Sequence, residues 1–142
     1  MKLKVKRFDK NLPLPEYKTD KAAALDLYAR VDTTIFPHQV GYVPLNIALE
    51  LPKDHWALLA ARSSLHKKGL MMANGIGVGD EDFCGDNDEY QSVLFNFTDQ
   101  EVMVKKGERI VQLIILSRER VEIEEMIELG NKDRGGIGST GS

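Results

Sequence analysis

Across residues 43–51 the chain alternates without a break, Val43, Leu45, Ile47, Leu49 and Leu51 against Pro44, Asn46, Ala48, Glu50 and Pro52. Successive side chains of a strand point to opposite faces, so this period of two predicts a strand with one buried face. Its prolines, which lack a ladder donor, assign it to an edge or a bulge. His55 to Ala60 follows a Pro52-Lys53-Asp54 turn, and the two runs predict a hairpin ending at Arg62. The same pattern recurs along the chain. Leu3 and Val5 alternate with lysines as an opening edge strand. Leu25, Leu27 and Ala29 oppose Asp26 and Tyr28 on a half-buried strand, and Val93, Phe95 and Phe97 share a face. A turn at Thr98-Asp99-Gln100 then predicts a second hairpin, with Val102 and Val104. Arg109 to Leu116 is apolar on both faces, as in a fully buried strand, with Gln112 its one polar interior member. Residues 121–129 read as a strand that frays. Only Ala61 to Gly69 carries helix punctuation, with serines at the start, lysines in the last turn and a closing glycine.

At 142 residues the chain is one domain's length, enough to bury about 68% of the surface its unfolded form exposes. Cys84 is the sole cysteine and has no internal partner, while His38, His55 and His66 are scattered and lack thiol neighbours, so no zinc spacing exists. A net charge of −3 argues against sequence-independent nucleic-acid binding, which needs a basic face to displace counterions. No apolar run reaches membrane-helix length, and the alternating start is no signal-peptide core. These features read as a soluble cytoplasmic protein.

The stretch from Asn74 to Asp86 is glycine-laced and then acidic, with Gly75, Gly77 and Gly79 at alternate positions before Asp80, Asp82 and Phe83. Glycines there let backbone approach a ligand closely, so the segment reads as a pocket wall. Either Asp80 or Asp82 is placed to take a proton from water, and Phe83 to press a sugar. Arg62, Ser63 and Ser64 open the helical segment, where free amides, hydroxyls and a guanidinium fork suit an anion, although an ordinary capped turn has the same residues. Gln112 is either a satisfied core amide or a phosphate contact, and Asp26 either a solvated carboxylate or a partner to hydrated magnesium. The tail at residues 131–142 holds too little apolar surface to fold alone. Its Arg134, glycines, Ser139 and Thr140 suit a donor-rich cover over phosphates.

Five segments in this order resemble the motifs of the trimeric dUTP diphosphatase (dUTPase) family: Ala24-Leu25-Asp26-Leu27, Arg62-Ser63-Ser64-Leu65 with Lys68-Gly69, Asn74 to Gly85, Gly107 to Leu113, and Arg134 to Gly141. The resemblance implies an all-β fold, a distorted jelly-roll-like barrel over residues 1–130 with one short helix. A flexible glycine-rich arm, residues 131–142, would close over a neighbouring subunit's site in a homotrimer. It implies dUTP as substrate and Mg2+ as cofactor, water attacking the α-phosphorus to give dUMP and pyrophosphate. Arg62, Ser63, Ser64 and Gln112 would contact phosphates. Asn74, Gly75, Ile76, Gly77 and Val78 would read uracil, and Phe83 would pack on deoxyribose. Asp80 would activate water and Asp26 would hold magnesium through its water shell. Arg134, Ile137, Gly138, Ser139 and Thr140 would belong to the closing arm.

Four departures from the family pattern stand out. Gly79 replaces a bulky aliphatic residue before the catalytic Asp, which loosens the backbone there; Phe83 replaces Tyr. Ile137 stands where an aromatic covers the base, forfeiting about 0.5–1.5 kcal/mol of stacking. The turn from Gly85 to Tyr90 is longer than usual, and its acids read as a solvated tip. The competing readings are a dCTP deaminase or bifunctional relative of the same fold and a catalytically weak nucleotide-binding regulator. Deamination calls for a Glu in the strand before an aromatic-Asn step, and Ser92-Val93-Leu94-Phe95 has no acid.

Overall fold

Period-two segments become strands almost wherever they occur, but their partners are distant in sequence. The computed structural model describes every residue except Ser139, Thr140 and Ser142. Its strands are β1 (Lys4–Arg7), β2 (Leu25–Tyr28), β3 (Thr33–Ile35), β4 (Val40–Pro44), β5 (Ile47–Glu50) and β6 (His55–Ala61), then β7 (Leu70–Met72), β8 (Gly77–Gly79), β9 (Gln91–Asn96), β10 (Val102–Val104) and β11 (Arg109–Ser117). They form sheets in the orders β1-β5, β10-β3, β2-β11-β6-β8 and β4-β9-β7. Among the described residues no ladder joins strands consecutive in sequence. The all-β, jelly-roll-like expectation holds, whereas both predicted hairpins are wrong: β6 pairs with β11 and β8, and β10 pairs with β3.

The unbroken alternation at residues 43–51 is not one strand. Asn46 adopts φ 71°, a left-handed conformation, and splits it into β4 and β5, which enter different sheets. Asn is among the few residues that tolerate this conformation. Its side chain also accepts from the Asp9 amide at 2.6 Å and donates to the Asp9 carbonyl at 3.0 Å. Val43, Leu45, Ile47, Leu49 and Leu51 are all buried across the break, but Asn46 and Ala48 are buried with them, so burial is not confined to one face as the alternation predicts. Pro44 closes β4, an edge strand as its missing donor requires.

The core gathers Leu27, Leu49, Leu59, Leu94, Val111 and Leu113 from several sheets. On β9 it is Ser92, Leu94 and Asn96 that are buried. The more apolar face, with Val93 and Phe95, meets Tyr42 and Val40 of β4 and Met71 of β7 across the ladder. Tyr42, Val40, Met71 and Phe97 are exposed there, so one side of this sheet is an uncovered apolar surface. The predicted helix shrinks to a 3-10 turn, Leu65–Lys68, closed by Gly69 at φ 81°, because Ala61 still belongs to β6. No strand forms at residues 121–129, whose Val121, Ile123, Ile127 and Leu129 are exposed. Among the described residues the last regular element ends at Ser117. Among the described residues no helix is long and apolar enough to cross a membrane.

Candidate active site

One rung of the four-stranded sheet carries the first group of residues, since Gln112 lies opposite Asp26 on β2 and opposite Ala60 on β6. Asp26 is only 8% exposed. It is neither the half-solvated carboxylate expected from alternation nor a lone one. Arg109 donates to it at 2.9 Å and Arg62 approaches at 3.5 Å; Arg62 also donates to the Arg109 carbonyl at 2.9 Å. Two guanidiniums against one carboxylate leave one positive charge in excess, and a buried carboxylate needs such partners. The Gln112 amide donates to the Ala61 carbonyl at 3.0 Å, which favours the core-amide reading for its nitrogen. Ser64 occupies the N-cap position without a side-chain capping bond, so Ser63 and Ser64 beside Arg62 hold hydroxyls not consumed by capping. Lys68 pairs with Glu108 and ties this turn to the start of β11. Burial alone would raise the Glu108 carboxyl. Hydrogen bonds from Lys68 and the Lys105 amide, with the charges of both lysines, hold it below the usual carboxylate range.

The second group lines a cavity of about 420 Å³ that includes Leu59, Asn74, Gly77, Val78, Asp80, Phe83 and Tyr90. Mostly apolar walls with a few polar groups are what a small-molecule site offers. The backbone of Gly75, at φ 72°, donates to Met72 at 3.1 Å, and Ile76 donates to Asn74 at 2.8 Å. This turn links β7 and β8, which pair into different sheets, so it is a crossover and not the tip of a hairpin. Asp80 is exposed at the rim, and Phe83 donates its amide to the Asp80 carbonyl at 3.1 Å. Asp82 lines an outer cavity that it shares with Asp80, Glu81, Trp56, Arg118 and Arg120. Of the two acids left open by the sequence, Asp80 alone reaches the apolar cavity. Arg118 bonds Glu81 at 2.9 Å, and Glu81 accepts from the Asp54 amide at 3.1 Å, pinning the acidic turn to the end of β11.

Gly79 does not loosen this wall. It is a buried β8 residue paired with Ala57, and a Cβ there would lie 2.3 Å from the Tyr90 hydroxyl. The Tyr90 ring fills the space a side chain would take. The long acidic turn is likewise only partly a solvated tip. Glu89 holds Arg30 through two bonds of 2.7 and 3.1 Å and accepts from the Asn46 amide at 2.9 Å, while Asp88 accepts from the Gly85 amide at 2.7 Å.

The two groups do not meet within one chain. Gly79 lies opposite Ala57, so Asp80 continues toward Trp56, while Arg62 follows the other end of β6. At about 3.4 Å per residue this separates them by about 20 Å, and the apolar cavity lined by Asp80 includes neither Arg62 nor Gln112. Arg134, Ile137 and Gly138 are exposed and touch neither group in the bonds observed; Ser139 and Thr140 lie outside the described residues. The sequence reading missed Arg109 and Tyr90. Arg109, the charged residue opening an otherwise apolar strand, left a signal; Tyr90 depends on a size match with Gly79 eleven residues earlier and left none.

The sequence matches the dUTPase family over residues 10–141. The chain belongs to the dUTPase family. Within that family it is 41% identical to the deoxyuridine 5'-triphosphate nucleotidohydrolase of Hydrogenobaculum sp., over 99% of both chains. It resembles the dUTPase of Streptococcus mutans with a TM-score of 0.77 and 30% identity, over 84% of this chain and 98% of that one. The Staphylococcus bacteriophage 80alpha dUTPase, in a G164S mutant with dUpNHpp, shares the fold at a TM-score of 0.86 and 21% identity, over 99% of both. As a dUTPase-family member the chain is an enzyme of the dUTP diphosphatase class.

Proposed function

We propose that the chain hydrolyses dUTP to dUMP and pyrophosphate by attack of water on the α-phosphorus, at sites completed between the subunits of a homotrimer. The observation that carries this reading is the cavity that Asp80 and Phe83 line together with Asn74, Gly77 and Val78. Backbone groups of Asn74, Gly75, Ile76, Gly77 and Val78 read the uracil edge, and Phe83 packs on the deoxyribose. Phe83 offers a ribose 2'-hydroxyl neither room nor a partner. Asp80 accepts a proton from the attacking water at a carboxylate oxygen. Arg62, Ser63, Ser64 and Gln112 bind the phosphates, and their donors offset charge on the departing pyrophosphate. The arm, residues 131–142, covers the phosphates with Arg134, Gly138, Ser139 and Thr140, and Ile137 lies over the base.

The residues fit Mg2+ carried on the nucleotide. Among the described residues no group of three or more His, Cys, Asp and Glu side chains is arranged to hold an ion, and Asp26 already shares its oxygens with two guanidiniums. Asp26 would hold such an ion indirectly, through its water shell. When bound, the ion would neutralise phosphate charge as it develops in the transition state.

Sharing between subunits is supported by the separation of Asp80 from Arg62 along β6. Uncovered apolar surface on β4 and β7, at Phe97 and at residues 121–129 supports assembly. Chains carrying Asp80→Asn and chains carrying Arg62→Ala, each inactive alone, should regain activity when unfolded, mixed and refolded together, because some sites then draw both intact groups from different chains. A mixture as inactive as its components contradicts the sharing. The chemistry itself is tested by incubating the protein and Mg2+ with each deoxynucleoside triphosphate and resolving the products. Pyrophosphate from dUTP alone is expected; a uracil nucleotide from dCTP would point to deamination, and binding without turnover to a regulator.

A further inference from the structure

Resting on the reading of Asp80 as the base, we propose that Tyr90 is a positioning residue for hydrolysis. Its buried phenol hydroxyl donates a hydrogen bond to the Asp80 carboxylate in the nucleotide complex and aims it at water. Tyr90 is 6% exposed and its hydroxyl has no hydrogen-bond partner among the described residues of the free chain. A buried hydroxyl left unpaired is destabilising, and Phe would fill the same space without that cost. The hydroxyl therefore has its use in a state other than the free chain. It lies against Gly79, the residue before Asp80, on the wall of the cavity that Asp80 also lines.

The ring is firmly held. Tyr90 donates its amide to Ile47 and accepts from the Leu45 amide, both at 2.9 Å. Its ring meets Phe83 edge to face at a centroid distance of 5.4 Å and 76°. One aromatic thus underlies both Phe83 and the backbone leading to Asp80. Burial, with the nearby Asp80 charge adding to it, pushes the phenol up to about 12, so it is a neutral donor at any working pH. The other charged groups around Asp80 are Glu89 on the cavity wall, locked to Arg30, and Glu81, Asp82, Arg118 and Arg120 on the outer side. Arg118 is committed to Glu81 and Asp54. Hydrogen bonds of this kind are often unmade in the free enzyme and form in the complex.

The test is Tyr90→Phe, assayed for dUTP hydrolysis across pH beside the unmodified chain. Removing a donor to a carboxylate should lower kcat about tenfold and move the acid limb of the kcat profile upward by about one pH unit. KM should stay within about twofold, and the melting temperature should hold or rise. A kcat and pH profile identical to the unmodified chain overturns the inference, as does a loss confined to KM, which would assign the hydroxyl to nucleotide binding. An unmodified chain that leaves dUTP intact fails differently, because it removes the proposed function itself.

Discussion

Asp80→Asn is expected to cut dUTP turnover by about 10²–10⁴-fold, the usual contribution of a positioned general base. The amide has the shape of the carboxylate but cannot take a proton from water at neutral pH. Nucleotide affinity should stay within a few-fold, because uracil, sugar and phosphate contacts are assigned to other residues. The fold should also be unaffected, since the Asp80 side chain makes no hydrogen bond among the described residues. Pyrophosphate release and calorimetric titration with dUTP separate the two effects. Unchanged turnover would discard Asp80 as the base.

Gly79→Ala carries the largest expected structural effect. The added Cβ would come within 2.3 Å of the Tyr90 hydroxyl and 2.9 Å of its ring carbon. The ring has little freedom to retreat, being buried, anchored through both backbone groups and packed against Phe83. Overpacking of this kind costs about 1–3 kcal/mol, to be read from denaturant unfolding. Turnover should fall with it, because the displaced backbone leads directly into Asp80. Shortening the opposing side chain restores room, so Gly79→Ala with Tyr90→Leu should be more stable than the sum of the single changes by about 0.5–3 kcal/mol. Additive losses would show that the two positions do not share a space.

Much of the strand content could be read from the chain because alternation is local: Val43, Leu45, Ile47, Leu49 and Leu51 are all buried, although Asn46 and Ala48 on the other face are covered too. Pairing could not be read, since a turn such as residues 98–100 reverses the chain whether or not the flanking strands bond. Here Val102–Val104 leaves its neighbour and pairs with Thr33–Ile35. The break at Asn46 was invisible because a left-handed residue need not disturb the alternation around it. For the site, residue type and order pointed to Asp80, Phe83, Arg62 and Gln112. Burial was the failing step. From its own strand Asp26 read as either a solvated carboxylate or a partner to hydrated magnesium, and only Arg62, just past β6, and Arg109 of β11 explain its buried position. Gly79 looked like slack for the same reason, its filler arriving from another part of the chain.

Strand partners drawn from distant parts of the sequence also govern how the molecule reaches its native state. Asp26 must find Gln112 before the central sheet exists, and among the described residues no hairpin offers a nearby nucleus. Closing such wide loops adds little to the equilibrium cost, because that entropy grows only with the logarithm of length. It delays the search, and high-contact-order β proteins consequently fold in milliseconds to seconds, with unpaired edges exposed meanwhile. The lysines beside Val5 on β1 give one of those edges a charge that discourages aggregation during the wait.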